Sequence, residues 1–285
     1  MYRFDEPEFK DRSAPVLQRA RGEARVAFKR KEGRTRLQDL FQSGSAKMRL
    51  PRIYTGAPTA VLINTAGGLT GGDRMIYRAA TQMGAHAIVT TQTAERAYRS
   101  SGGAATVSAD LAVSSESRLE WLPQETILFD RSALARSLTA DLAGTAGLLC
   151  LEAVVIGRPA MGEVVEHVQF SDRWRIRRDG KLVYADDIRL HGNPSEVFKG
   201  PATANGGTAF ATLIDCDPAA EERLSRAREA LEAAHRSSGL AGGCSAWNGV
   251  LTARFVASDG RTLKQGLSAF LTHYRDAQLP RVWQI

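Results

Sequence analysis

A chain of 285 residues with 43% hydrophobic and 24% charged residues can bury a full core and has the composition of an ordinary folded domain. Its formal charge of +7 is concentrated in Arg19–Arg36 and Arg173–Arg178, yet no RNP, helix-turn-helix or zinc-finger pattern accompanies it, which argues against nucleic acid, and an acidic protein partner explains the charge as well. No window reaches roughly 18 apolar residues, and Met1–Pro7 runs into charged sequence, which argues against a membrane span or signal peptide and for the cytoplasm.

In chain order, β patterns dominate from about residue 24 to 215. Arg25–Lys29 alternates, and Thr59–Ile63 is apolar throughout. That run empties into Asn64-Thr65-Ala66-Gly67-Gly68-Leu69-Thr70-Gly71-Gly72-Asp73-Arg74, where Gly67, Gly68, Gly71 and Gly72 demand either positive φ or a very close neighbour. A phosphate cradle is a poor reading of this loop: it lacks the Lys-Ser/Thr of a P-loop, puts Asp73 where an anion would sit, and leads into the strand pattern Arg74–Arg78 rather than a helix. A tight strand-to-strand bend fits better. Further strands are expected at Ala87–Gln92, Arg118–Leu122, Leu148–Ile156 and Glu163–Phe170. Asp179-Gly180 predicts a hairpin, and the alternating Arg173–Arg178 a strand with one wet face.

Helix enters late. Asp217-Pro218 reads as an N-cap with proline at N1, with Ala220, Leu224, Ala227, Leu231 and Ala234 as one apolar stripe ending at Gly239. A second helix is expected from about Gly260 to Tyr274, with Leu263, Leu267, Phe270, Leu271 and Tyr274 inward, and strand between the two over Ser245–Phe255. The stretch from Gly192 to Thr208 shows no period and reads as the least ordered. Without linker or repeat, residues 1–285 read as one domain.

The chemistry is defined largely by what is missing. Cys150, Cys216 and Cys244 are far apart, as are the five histidines, so neither a zinc-type site nor a disulfide pattern is present. No nucleophile elbow or HExxH occurs. There remain Asp73, Glu95, Glu125, Asp130 and Glu163, acids in turn-like or strand-like contexts, each of which a solvated face or structural ion pair would explain.

Four segments in order, Asn64–Arg74, Thr90–Ser100, Leu119–Asp130 and Gly157–Glu163, with the ending Leu279-Pro280-Arg281-Val282-Trp283, resemble the urease accessory protein family UreD (UreH). The segment Ala46–Tyr54 departs from the aromatic-proline stretch of many relatives. The resemblance implies a mainly β, β-helix-like stack of coiled strands with two α-helices in the C-terminal third. It also implies a non-enzymatic maturation factor, or chaperone, that binds apo-urease with a UreF-type protein and a UreG-type GTPase and helps deliver nickel. The alternative within that picture is a purely structural adaptor that never contacts nickel. Family members are proposed to carry the ion through an internal passage, for which Asp73, Glu95, Glu125, Asp130 and Glu163 are the matching acids. Nickel(II) accepts oxygen ligands, and a carrier must release it, so transient nickel with no tightly bound cofactor is the expectation.

Overall fold

The computed structural model describes residues 18–53, 56–158 and 162–284. The leader reading at Met1–Pro7, Tyr54 at the end of the diverged segment, and Pro159–Met161 inside the fourth motif lie outside them. The described residues begin with the antiparallel pair β1 (Arg21–Lys31) and β2 (Arg34–Gly44) and the short β3 (Ala46–Arg49). It then alternates between two sheets: β4 (Thr59–Asn64) in one, β5 (Arg74–Thr81) in the other, then β6 (His86–Thr91) and β8 (Ala105–Val113), β9 (Arg118–Leu122) and β11 (Ser132–Leu142), β12 (Gly147–Ile156) and β13 (Val168–Arg178). Two short strands, β7 (Glu95–Ala97) and β10 (Thr126–Leu128), pair with each other at the turns.

Within each sheet these successive strands are parallel neighbours, so each strand pair is one coil of a two-sided solenoid. The stacked β coils of the sequence reading are present. The seven-stranded sheet is closed by β14 (Lys181–Gly192), in the order β14-β13-β11-β8-β5-β1-β2. The ten-stranded sheet is extended by β15 (Ala209–Cys216), β17 (Val250–Ala257) and β16 (Ala241–Trp247).

Strand periodicity builds the core. In β1 buried and open positions alternate, which puts Ala24, Val26 and Phe28 between the sheets. All ten residues of β12 are buried, because its even-numbered positions face the other sheet while Leu149, Leu151, Ala153 and Val155 lie under a helical layer. That layer is α2 (Leu224–Ser238) and α3 (Gly260–Arg275), which bury Ala227, Ala230 and Ala234 and all five predicted α3 residues. Asp259 caps α3 by accepting from Thr262 N at 2.9 Å.

Four expectations need correction. The first helix starts at Leu224, after a turn and a 3-10 segment over Glu221–Arg223: the Asp217 side chain accepts from Ala219 N and pairs with Arg118 and Arg223, so it holds a turn rather than a helix start. Residues 163–167 precede β13 instead of forming its first half, since the turn groups there are bound by side chains. Ser245–Phe255 is a hairpin, turned at Asn248 and Gly249, both at positive φ. The stretch after Gly192 holds a third, five-residue helix, α1 (Pro194–Phe198), started by the Asn193 side chain. Asp179 and Gly180 form the expected turn between β13 and β14. Among the described residues no helix is long and apolar enough to cross a membrane.

Candidate functional site

The glycine loop joins β4 to β5 across the end of the sandwich and is held almost entirely by its own backbone and two side chains. Asn64 at the end of β4 accepts from Ala66 N at 2.9 Å and donates to Gly68 O. Asp73 accepts from Ala20 N at 2.7 Å and from Thr70 N at 2.8 Å, which ties the lead-in to β1 onto the loop. Leu69 pairs with β7 through Arg96 O and Tyr98 N, both at 2.7 Å. Two glycines answer different needs. A Cβ on Gly71 would stand 2.0 Å from Ser100 Oγ and 2.4 Å from Gly102 O, so the neighbouring loop excludes it; Gly68, at φ 154°, also has the Tyr98 ring where a Cβ would project.

Beside this loop lies a cavity of about 220 Å³ whose polar lining includes Asn64, Tyr77, Gln92, Glu95 and Arg96. Glu95 is its one carboxylate. Both of its oxygens accept from Asn64 Nδ2, at 3.3 and 3.1 Å, and one accepts from Arg96 N at 3.0 Å. Burial raises the Glu95 pKa above the ordinary carboxylate value, and the Arg96 and Asn64 hydrogen bonds only partly offset it. Tyr77, facing the same space from β5, is pushed up by burial and by the nearby Glu95 charge, and so stays a neutral phenol. The cavity therefore offers a single carboxylate beside neutral oxygen donors, a setting in which a cation is held weakly.

The other predicted acids do not converge on this cavity. Asp73 is spent on backbone amides. Glu125 pairs with Lys264 of α3 at 3.6 Å, while its carbonyl accepts from Glu95 N. Asp130 accepts from Glu166 N and His167 N at 2.9 and 3.1 Å; burial opposes its ionisation, but these amides and Arg131 outweigh that and hold its carboxyl below the usual range. Glu163 accepts from Asp130 N at 3.2 Å and Arg158 N at 3.1 Å, closing the turn before β13. Among the described residues no three His, Cys, Asp or Glu side chains stand ready to hold a metal ion. Cys150 and Cys216 are buried, Cys244 is half-buried, and all three are free.

One ionic cluster escaped the sequence reading. Between the sheets, Arg136 of β11 binds Glu152 of β12 at 2.5 Å and Asp172 of β13 at 2.6 Å, and each of the three is less than a tenth exposed. Trp121 Nε1 donates to Glu152, Thr126 Oγ1 accepts from Arg136, and the guanidinium lies 5.5 Å from the Phe170 ring. Arg136 Nε and Asp172 Oδ1 have no protein partner. Burial raises the Glu152 pKa against the pull of Arg136. A signal did exist: each residue occupies an inward register position of its strand, Arg136 between Leu134 and Leu138, Glu152 between Cys150 and Val154, Asp172 between Phe170 and Trp174.

With this geometry established, comparison with known proteins is specific. The family described as UreD urease accessory protein matches residues 20–284. A protein of Rhizobium leguminosarum bv. trifolii named urease accessory protein UreD is 45% identical over 269 residues, spanning 94% of this chain and 96% of the relative. The Agrobacterium fabrum protein of the same name is 44% identical over 277 residues, 96% of this chain and 95% of the relative. One from Methylorubrum populi, named urease accessory protein UreD 2, is 44% identical over 280 residues, covering 96% and 93%.

Proposed function

Because the chain belongs to the UreD family of urease accessory proteins, a role in urease maturation follows, and we propose that it serves there as a nickel-handing scaffold seated on apo-urease together with a UreF-type protein and a UreG-type GTPase. The observation that carries the nickel part is the Glu95 cavity. It is small, has Asn64, Tyr77, Gln92 and Glu95 among its lining residues, and is furnished with one carboxylate, whose pKa is raised by burial. A site of this kind takes up nickel(II) transiently and lets it go, whereas several converging imidazoles or thiolates would retain it. Asn64 and Arg96 N fix the carboxylate in place, Tyr77 closes one wall, and the glycine loop keeps the opening's backbone in shape. In this reading Asp73, Glu125, Asp130 and Glu163 are supports of that end of the solenoid, bound to backbone or to Lys264, rather than further stations for the ion. The protein needs no tightly bound cofactor and catalyses nothing by itself.

The test is coexpression of Glu95→Gln with urease and its other accessory proteins. Copurification should persist while nickel per urease active site falls severalfold. Unchanged nickel content would favour the purely structural adaptor instead; loss of copurification would make Glu95 an assembly residue and end the transient-ligand role.

A further inference from the structure

Among the described residues four strands end the main path of the two sheets: β2 and β14 in one, β3 and β16 in the other. Exposed edges are templates for pairing, and proteins usually guard them with charge. Three of these are guarded. β2 carries Arg34, Arg36 and Asp39, β14 carries Lys181, Asp186, Asp187 and Arg189, and the four-residue β3 has Lys47 and Arg49. β16, with the sequence Ala-Gly-Gly-Cys-Ser-Ala-Trp, has no charged residue, no proline and no bulge against β17, and most of it is exposed.

Beside this strand the sandwich is under-filled. Positions 243, 245 and 247 of β16 face the seven-stranded sheet alongside Thr252 and Arg254 of β17, but two of them are Gly243 and Ser245. They leave a groove of about 530 Å³ against Tyr184 of β14, with Trp247 at its rim, 45% exposed. On its floor the Thr252 hydroxyl is buried without a partner. A Cβ on Gly243 would meet nothing within 4 Å.

We propose that β16 seats a second copy of this chain, the two β16 strands pairing antiparallel about a two-fold axis so that the ten-stranded sheet continues across a dimer. Charge and size both select the occupant. In the antiparallel register that overlaps all seven residues, Cys244 faces its own mate and Trp247 faces Ala241, with Gly243 diagonal to it. Each indole then lies over Ala241 and Gly243 of the other copy and covers the Gly243 end of the groove. No charged side chain meets its like. The same two-fold operation on β2 would set Asp39 against Asp39, and on β14 Asp186 against Asp187. The net charge of +7 on each copy opposes association over longer range, so the dimer tightens as salt screens it.

Sedimentation equilibrium of the purified full chain tests this. The wild type should show a reversible monomer–dimer equilibrium that shifts toward dimer when salt is raised. Ser245→Lys, which puts a charge in the groove, and Trp247→Ala, which empties it, should each weaken the dimer by about tenfold or more. Ser43→Lys on the guarded edge β2 should not. Circular dichroism and melting temperature establish that each variant is folded. A wild type that stays monomeric at every concentration overturns the proposal, as do open-ended aggregates in place of a dimer. So does a dimer indifferent to both Ser245→Lys and Trp247→Ala.

Discussion

The glycine-loop cavity and the Arg136 cluster are both polar intrusions into a β sandwich, and they are neutralised in opposite ways. At the loop, carboxylates are satisfied by backbone amides, several from residues close in sequence: Asp73 by Thr70 N three residues away, Glu95 by its own neighbour Arg96. At the centre, charges answer charges carried by three different strands, and two polar atoms are left without protein partners. Asp73 and Glu95 are held by amides rather than by a counter-charge, so a change in their ionisation strands no buried ion. The buried side-chain-held charges differ, because removing one strands the others. The cation-handling role we propose for the loop is compatible with this difference, and the centre is read as structural.

The sharpest way to break the comparison is to delete one member of the central cluster. Arg136→Ala leaves Glu152 and Asp172 buried without their counter-ion, and Asp172→Ala leaves Arg136 with a single carboxylate. Each should cost about 3–5 kcal/mol, read as a lower urea midpoint with unchanged slope. A loss under about 1 kcal/mol would mean that water reaches the cluster, and the contrast with the loop would collapse.

A smaller effect is expected at the loop itself. Gly71→Val drives a branched side chain into Ser100 Oγ and two carbonyl oxygens, a clash that backbone movement relieves at about 1–3 kcal/mol. Gly67, by contrast, is at φ 80° with open space around it, so Gly67→Ala should cost only conformational strain, about 1 kcal/mol. Equal melting temperatures for the two variants would show that close approach at Gly71 is not what the glycine provides.

Legibility in the sequence follows the same division. The loop could be read because its four glycines and Asp73 sit together in the chain, and α3 because its apolar stripe is a local pattern. Alternation exposed β1 and β13. The start of α2 was missed because Asp217 is engaged by Arg118, 99 residues earlier in the chain, which no local pattern records. The Arg136 cluster was missed for a related reason: its members come from three strands, and each looks like one stray charge in an apolar run until the register aligns them. The sequence put all five acids in the matching motifs but could not separate Glu95, which faces a cavity, from four whose carboxylates are engaged by backbone amides or Lys264.

The smallest effect concerns Glu95 and pH. Its pKa in the folded chain lies above the ordinary carboxylate value, chiefly through burial, so the folded state holds this proton more tightly than the unfolded state does. The ionised group therefore costs stability at neutral pH. That cost fades as pH falls through the folded-state pKa, and it is gone below the unfolded value of about 4.3, where both states are protonated. Asp130 behaves in the opposite sense: its folded pKa is depressed, so its contribution is present above the unfolded value and lost as pH falls through the folded one. Glu95→Gln keeps the acceptor for Asn64 and removes the titration. It should match or slightly exceed wild-type stability at pH 7, by less than about 1 kcal/mol, with the difference shrinking toward pH 4. Thermal melts of the two chains across that range provide the measurement. A Glu95→Gln variant clearly less stable than wild type at pH 7 would mean that the carboxylate is a structural ion rather than a strained acid facing a cavity, and the weak-binding property assigned to this site would go with it.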